Sequence, residues 1–180
     1  MNYIFAICLS APIMGILCWK DCRERRLPNA YTLALAVLGV AWRLWADGIG
    51  GLLDGVLGGV AGALFLIIPF LMKAAGGGDV KMLAAAGIFT GLRLCIAELF
   101  FVSICGLLLA VVMLLAKFVS AARLKHFLRL IFDFRYDRNK AQESLPSRTD
   151  ERGRIPFGVA IAIGTVATLL YAVWLEVGHG

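Results

Sequence analysis

Beyond Lys81, residues 80–116 are interrupted by charged side chains only at Arg93 and Glu98. A helix of that length would reach roughly 55 Å at ~1.5 Å per residue, almost twice a ~30 Å hydrocarbon core. The chain must therefore fold back on itself within an apolar medium. Similar apolar runs recur along the sequence, separated by short charged stretches, and 61% of the residues are hydrophobic against 17% charged, with a mean hydropathy of +0.84. Such a composition excludes a soluble globular, collagenous or disordered chain. Strands of a membrane barrel would alternate apolar and polar side chains, and no run does so. The pattern predicts an all-α polytopic membrane protein.

About six transmembrane helices are expected. The first covers residues 3–19 and ends in the polar cluster that begins Lys20-Asp21. The second opens at Pro28, a residue suited to a first helical turn, and runs to about 45, with Trp42 and Trp45 as interfacial anchors. After Asp47-Gly48 the third extends to about 72 and carries Gly51, Gly55, Gly58, Gly59 and Gly62, a small-residue face for close helix packing. The fourth, unusually short, covers 80–92, the fifth 94–116 and the sixth 155–177. The N-terminus lacks the basic region of a secretory signal, so the first run reads as a retained span. The whole of 1–180 reads as a single integral-membrane domain with a loop at about 117–154.

All 18 Lys and Arg except Arg43 and Arg93 fall on one side of this arrangement. By the positive-inside rule that side is cytoplasmic, and both termini face away from it. The net charge of +6 then reflects topology, not nucleic-acid binding, which needs a soluble basic face. Residues 117–138 interleave aromatic and aliphatic side chains with Arg123, Lys125, Arg129 and Arg135, a pattern of a helix on an anionic lipid surface or of a solvated loop. Five cysteines, at 8, 18, 22, 95 and 105, form no C-x-x-C pair, and neither a zinc site nor a disulfide framework is expected. A thiol-protease pair of Cys22 with His126 lacks an orienting group.

Most acidic residues lie at interfaces or in the cytoplasmic loop, where solvation accounts for them. Asp54 and Glu98 lie nearer the apolar zone on the outer side, where pairing with Arg43 or Arg93 suffices. Asp21 and Asp79 differ, because an even number of crossings separates them and returns both to the cytoplasmic face. Two facing carboxylates share a proton and serve as general base and general acid in peptide hydrolysis. Gly76, Gly77 and Gly78 before Asp79 would permit unusual dihedrals and close approach of a substrate chain. The spacing leaves a plain structural alternative open: Asp21 as an interfacial charge beside its arginines, and Asp79 as a helix N-cap. A transporter using the same acids would want them near the midplane, and here they lie at one face.

Asp21-Cys-Arg-Glu-Arg-Arg-Leu-Pro28-Asn29 resembles the D-x6-P-N/D signature of prepilin peptidases, and Gly76-Gly77-Gly78-Asp79-Val80-Lys81 matches their G-x-G-D-x-K. Arg154-Ile155-Pro156-Phe157-Gly158 is similar to the opening of their last helix. The resemblance covers nearly the whole chain in order and topology. It implies an aspartic endopeptidase of the inner (cytoplasmic) membrane that removes the basic leader of type IV prepilin-like substrates at the cytoplasmic face. Asp21 and Asp79 carry over as the catalytic pair, with Gly76, Gly78 and Lys81 shaping the site or contacting substrate. Prepilin and membrane lipid are the implied partners, and no cofactor or metal is expected. Large bifunctional members add an amino-terminal region with cysteine pairs, linked to methylation of the new terminus. Here Asp21 follows a single span, which points to a minimal peptidase without methyl transfer, similar to those of tight-adherence (Flp) pilus systems and archaeal preflagellin peptidases. A non-catalytic pilus-assembly subunit would have the same sequence features.

Overall fold

The computed structural model describes residues 3–24, 27–71, 75–115 and 156–178. Four helices account for almost all of them: α1, Tyr3–Glu24; α2, Asn29–Leu71; α3, Gly77–Leu115; and α4, Phe157–Gly178. Each is long and apolar enough to cross a membrane. The chain is thus an all-α, multi-pass membrane protein, with large apolar side chains such as Ile96, Trp45 and Val177 on its outer surface. The chain divides into two compact units, Met1–Leu107 with Pro156–Gly180, and Leu108–Ile155. Of the second unit, 108–115 are described and helical. The basic amphipathic segment expected at 117–138, and the loop around it, lie outside the described residues.

Helix α1 turns one stripe inward: Ala6, Ser10, Met14, Leu17 and Asp21, spaced three and four residues apart, are all buried. Asp21 is in register with the apolar members of this stripe, so the helix carries its carboxylate into the bundle. Helix α1 packs against α4 and α2.

Helices α2 and α3 are each broken at a glycine with positive φ: Gly48 (φ 62°, ψ −148°) and Gly91 (φ 75°, ψ 172°). That region of backbone space is essentially reserved for glycine. Both breaks are reversals. Arg43 Nη1 lies 3.2 Å from Asp54 Oδ2, although eleven residues of straight helix would part them by about 16 Å. Thr90 Oγ1 donates to Glu98 Oε2 at 2.7 Å, where a straight helix would leave about 12 Å. The reversal at Gly48 coincides with the Asp47-Gly48 boundary expected from the sequence. The second lies within two residues of the boundary expected between 92 and 94, and the backbone freedom of Gly91, not the charge of Arg93, makes the turn.

The leg of α2 after Gly48 lays its glycine face on the first leg of α3. A β-carbon at Gly59 would stand 2.8 Å from the carbonyl oxygen of Ala84, and one at Gly62 2.9 Å from that of Leu83. At Gly58 it would collide with the Gly87 carbonyl. The expected small-residue face is therefore a backbone-to-backbone contact. Arg43, 3% exposed, ties the two reversals together: its Nε donates to Ile88 O at 3.0 Å, and a β-carbon at Gly91 would strike both its guanidinium and the Asp54 carboxylate. Trp42 is buried and stacks on Phe5 with ring centroids 6.3 Å apart, so it packs inside the bundle and Trp45 alone of the pair faces outward.

Candidate active site

Asp21 and Asp79 are both buried, 6% and 7% exposed, and each accepts a hydrogen bond from the backbone at the start of a helix. The amide of Gly158 donates to Asp21 Oδ2 at 2.9 Å, in the first turn of α4. That turn also closes through Val159 N, which donates to Pro156 O at 3.2 Å. The first amides of a helix have no partner within it, and Asp21 supplies one from another helix. Cys18, one turn earlier on α1, approaches the other side of the same residue, with its thiol Sγ 3.7 Å from Gly158 O. Two side chains of α1 thus grip the backbone of Gly158.

Asp79 belongs to the first turn of α3, whose N-cap is Gly76. The Gly76 carbonyl accepts from Asp79 N at 3.1 Å and from Val80 N at 3.3 Å, while Asp79 Oδ2 accepts from Gly76 N at 2.8 Å. This is the returning half of a capping box, with aspartate in the third helical position. The structural alternative raised by the sequence is therefore real in a modified form: Asp79 does cap α3, but from inside the helix. Capping also orients the carboxylate, so it does not compete with a chemical role.

The glycines before Asp79 do not use unusual dihedrals, since among the described residues positive-φ glycine occurs only at Gly48 and Gly91; Gly78 acts by size. A β-carbon at Gly78 would stand 2.8 Å from Leu27 Cβ, whereas one at Gly77 would meet Phe70 at an ordinary 3.5 Å. On its other side Leu27 lies under α4: a β-carbon at Gly158 would be 3.4 Å from Leu27 Cδ2 and 2.8 Å from Asp21 Oδ2. One leucine side chain thus touches the backbone adjoining each carboxylate. This role for Leu27 is not legible in the sequence, because a single aliphatic residue ahead of Pro28 carries no signal of its own.

Lys81 Nζ donates to Asn29 Oδ1 at 2.9 Å. Asn29 ends the first motif and Lys81 ends the second, so this bond joins them across the start of α2 and the start of α3. Pro28 caps α2, its carbonyl accepting from Tyr31 N and Thr32 N at 3.2 and 3.4 Å. The two segments that carry Asp21 and Asp79 are therefore fastened twice, by Leu27 packing and by the Asn29–Lys81 bond.

The remaining acids divide. Asp54 pairs with Arg43 as expected. Among the described residues Glu98 pairs with no arginine: fully buried, it accepts from Thr90 at 2.7 Å and from Thr165 of α4 at 3.2 Å. Among the described residues no three His, Cys, Asp or Glu side chains gather in the manner of a metal site.

No curated protein and no solved structure matches the chain. The model of the type IV leader peptidase family matches residues 8–111, which include Asp21, the Leu27-Pro28-Asn29 turn and the whole of Gly76 to Lys81. With both motifs inside that match and both carboxylates buried at helix starts, the chain belongs to the type IV leader peptidase family.

Proposed function

We propose that this peptidase is an aspartic endopeptidase in which Asp21 and Asp79 divide the acid and base work, and that it removes the basic leader from type IV prepilin-like substrates. The observation that carries the reading is the shared frame around the two carboxylates: each is buried, each has one oxygen held by a glycine amide, and Leu27 packs against the backbone beside both. In the proposed reaction the ionised carboxylate takes a proton from water as the water oxygen bonds to the scissile carbonyl carbon. The protonated carboxyl gives its proton to the carbonyl oxygen. Collapse of the resulting diol breaks the C–N bond, and a proton passes to the leaving amine. Anchoring each carboxylate to an amide reduces the rotational freedom it would lose on reaction, which lowers the entropic part of the barrier.

Counting each leg on either side of Gly48 and Gly91 as a crossing gives six spans, with Asp21, Asp79 and the start of α4 at one membrane face. The Lys and Arg distribution supports reading that face as cytoplasmic, and the leader peptidase reading takes the membrane to be the inner one. Cleavage there suits a substrate whose basic leader stays in the cytoplasm while its apolar helix enters the bilayer. These 180 residues hold the peptidase motifs and no C-x-x-C pair, and the reading of them is as a peptidase module similar to the minimal enzymes of Flp pilus systems. Co-expression with a candidate prepilin, followed by N-terminal sequencing of the membrane-bound product, tests it. A product lacking its basic leader is the expected result, and an uncut precursor in the presence of well-expressed protein contradicts it.

A further inference from the structure

Three helical legs enclose a groove of about 570 Å³ on the outer surface of the bundle. Its walls come from α2 before Gly48, α2 after Gly48 and α3 before Gly91. At one end it begins at the Asn29–Lys81 pair, and along α3 it continues to Ile88, a depth of about 10 Å at 1.5 Å per residue. Between these limits the lining is made largely of small residues, among them Ala36, Gly59, Ala63 and Ala84.

Resting on the leader peptidase reading above, we propose that this groove seats the first two turns of the substrate's apolar helix, with a substrate carboxylate against Lys81. Within lipid there is no hydrophobic force to fill an apolar recess, because an acyl chain is as apolar as leucine. What distinguishes occupants is shape, and small residues let a helix backbone approach closely enough to gain dispersion contacts that a mobile chain does not. Charge favours the same occupant. Lys81 is exposed, its side-chain partner is the neutral amide of Asn29, and among the described residues no carboxylate pairs with it. A helix entering the membrane from the cytoplasmic side presents its N-terminal turn at that level, where an acidic residue is also favoured by the helix dipole. Position completes the argument: Lys81 is two residues past Asp79, so a chain leaving the groove needs only to cross the first turn of α3 to reach the carboxylates.

The experiment places a photo-crosslinking amino acid at Val60, on the exposed rim of the groove, or at Ile163, on the exposed face of α4, in the Asp79→Asn protein co-expressed with a candidate prepilin. A substrate adduct at Val60 at least tenfold more abundant than at Ile163 is expected. Equal adducts at the two positions, or adducts at Val60 only to lipid or to a second copy of this chain, overturn the proposal. In parallel, Ala63→Phe narrows the groove from its lining; KM for the prepilin should rise about tenfold with kcat little changed, and an unchanged KM in a folded variant counts against the groove. Wild-type cleavage is measured in the same membranes. Cleavage without the Val60 adduct removes the groove and leaves the peptidase reading standing, whereas absent cleavage removes the reading beneath it.

Discussion

The Asp21 carboxylate at the end of α1 caps α4 through the amide of Gly158, 137 residues away in sequence, at 2.9 Å. A group proposed to move protons is thus also the group that fixes where α4 begins. Displacing it gives up the bond that closes the first turn of α4.

Gly158→Ala should expose that dependence. The added β-carbon would meet Asp21 Oδ2 at 2.8 Å, so the carboxylate must shift by a few tenths of an ångström or more. Misplacements of up to ~1 Å can cost about a hundredfold in rate. Prepilin cleavage at matched membrane level should fall tenfold or more while α4, held by its buried face of Ala160, Ile161, Thr165, Thr168 and Leu169, stays folded; an unchanged rate would mean that the Gly158 contact does not position Asp21.

Gly78→Ala should also slow cleavage strongly, and Gly77→Ala should not, because the first faces Leu27 Cβ at 2.8 Å and the second only Phe70 at 3.5 Å. Since the clash is with Cβ, Leu27→Gly should restore part of the activity lost in Gly78→Ala, although Leu27→Gly alone slows the enzyme. If the double variant is slower than Gly78→Ala, Leu27 is not the obstacle.

Asn29→Ala and Lys81→Met remove the same bond from opposite ends. Their effects should be non-additive, with a coupling of about 0.5–1 kcal/mol, as expected for an exposed hydrogen bond to a charged group. A double-mutant cycle on thermal stability in detergent measures it, and strict additivity would show that the two motifs are not joined there.

Gly91→Ala should be among the most damaging small substitutions in the protein. It places a side chain in a backbone region costing about 1–3 kcal/mol and drives it into Arg43 and Asp54. Gly15→Ala, where a β-carbon meets nothing within 4 Å, is the control and should be neutral or slightly stabilising. Unfolding midpoints of the two variants in the same detergent should differ by well over 5 °C, and equal midpoints would show that the Gly91 reversal is not tightly packed.

Much of this was legible in the sequence, and the rest was not for identifiable reasons. Hydropathy announced a helical membrane protein, and the Asp47-Gly48 boundary lies where α2 reverses, because there a glycine happens to follow a charge. The boundary expected between 92 and 94 falls within two residues of the reversal, but hydropathy marks it by the charge of Arg93 and is blind to the backbone sign at Gly91 that makes the turn. Charge alone suggests an arginine partner for Glu98, whereas two threonine hydroxyls meet it inside the bundle. Trp42 looked like an interfacial anchor from its type and place, but its helix face points at Phe5. Asp21, Asp79, Gly78 and Lys81 stood out because their spacing is written locally. Leu27, Cys18 and the Asn29–Lys81 bond did not, because each acts through a partner far away in the chain.

The most direct test replaces Asp21 and Asp79 one at a time with Asn, which keeps size and an oxygen able to accept the Gly158 or Gly76 amide but cannot exchange a proton. Each variant is expressed with a candidate prepilin at wild-type membrane level, and the N-terminus of the pilin is sequenced. The account predicts that both Asp21→Asn and Asp79→Asn leave the leader intact under conditions where the wild type removes it. Processing at near-wild-type rate by either variant would contradict a mechanism shared between these two carboxylates.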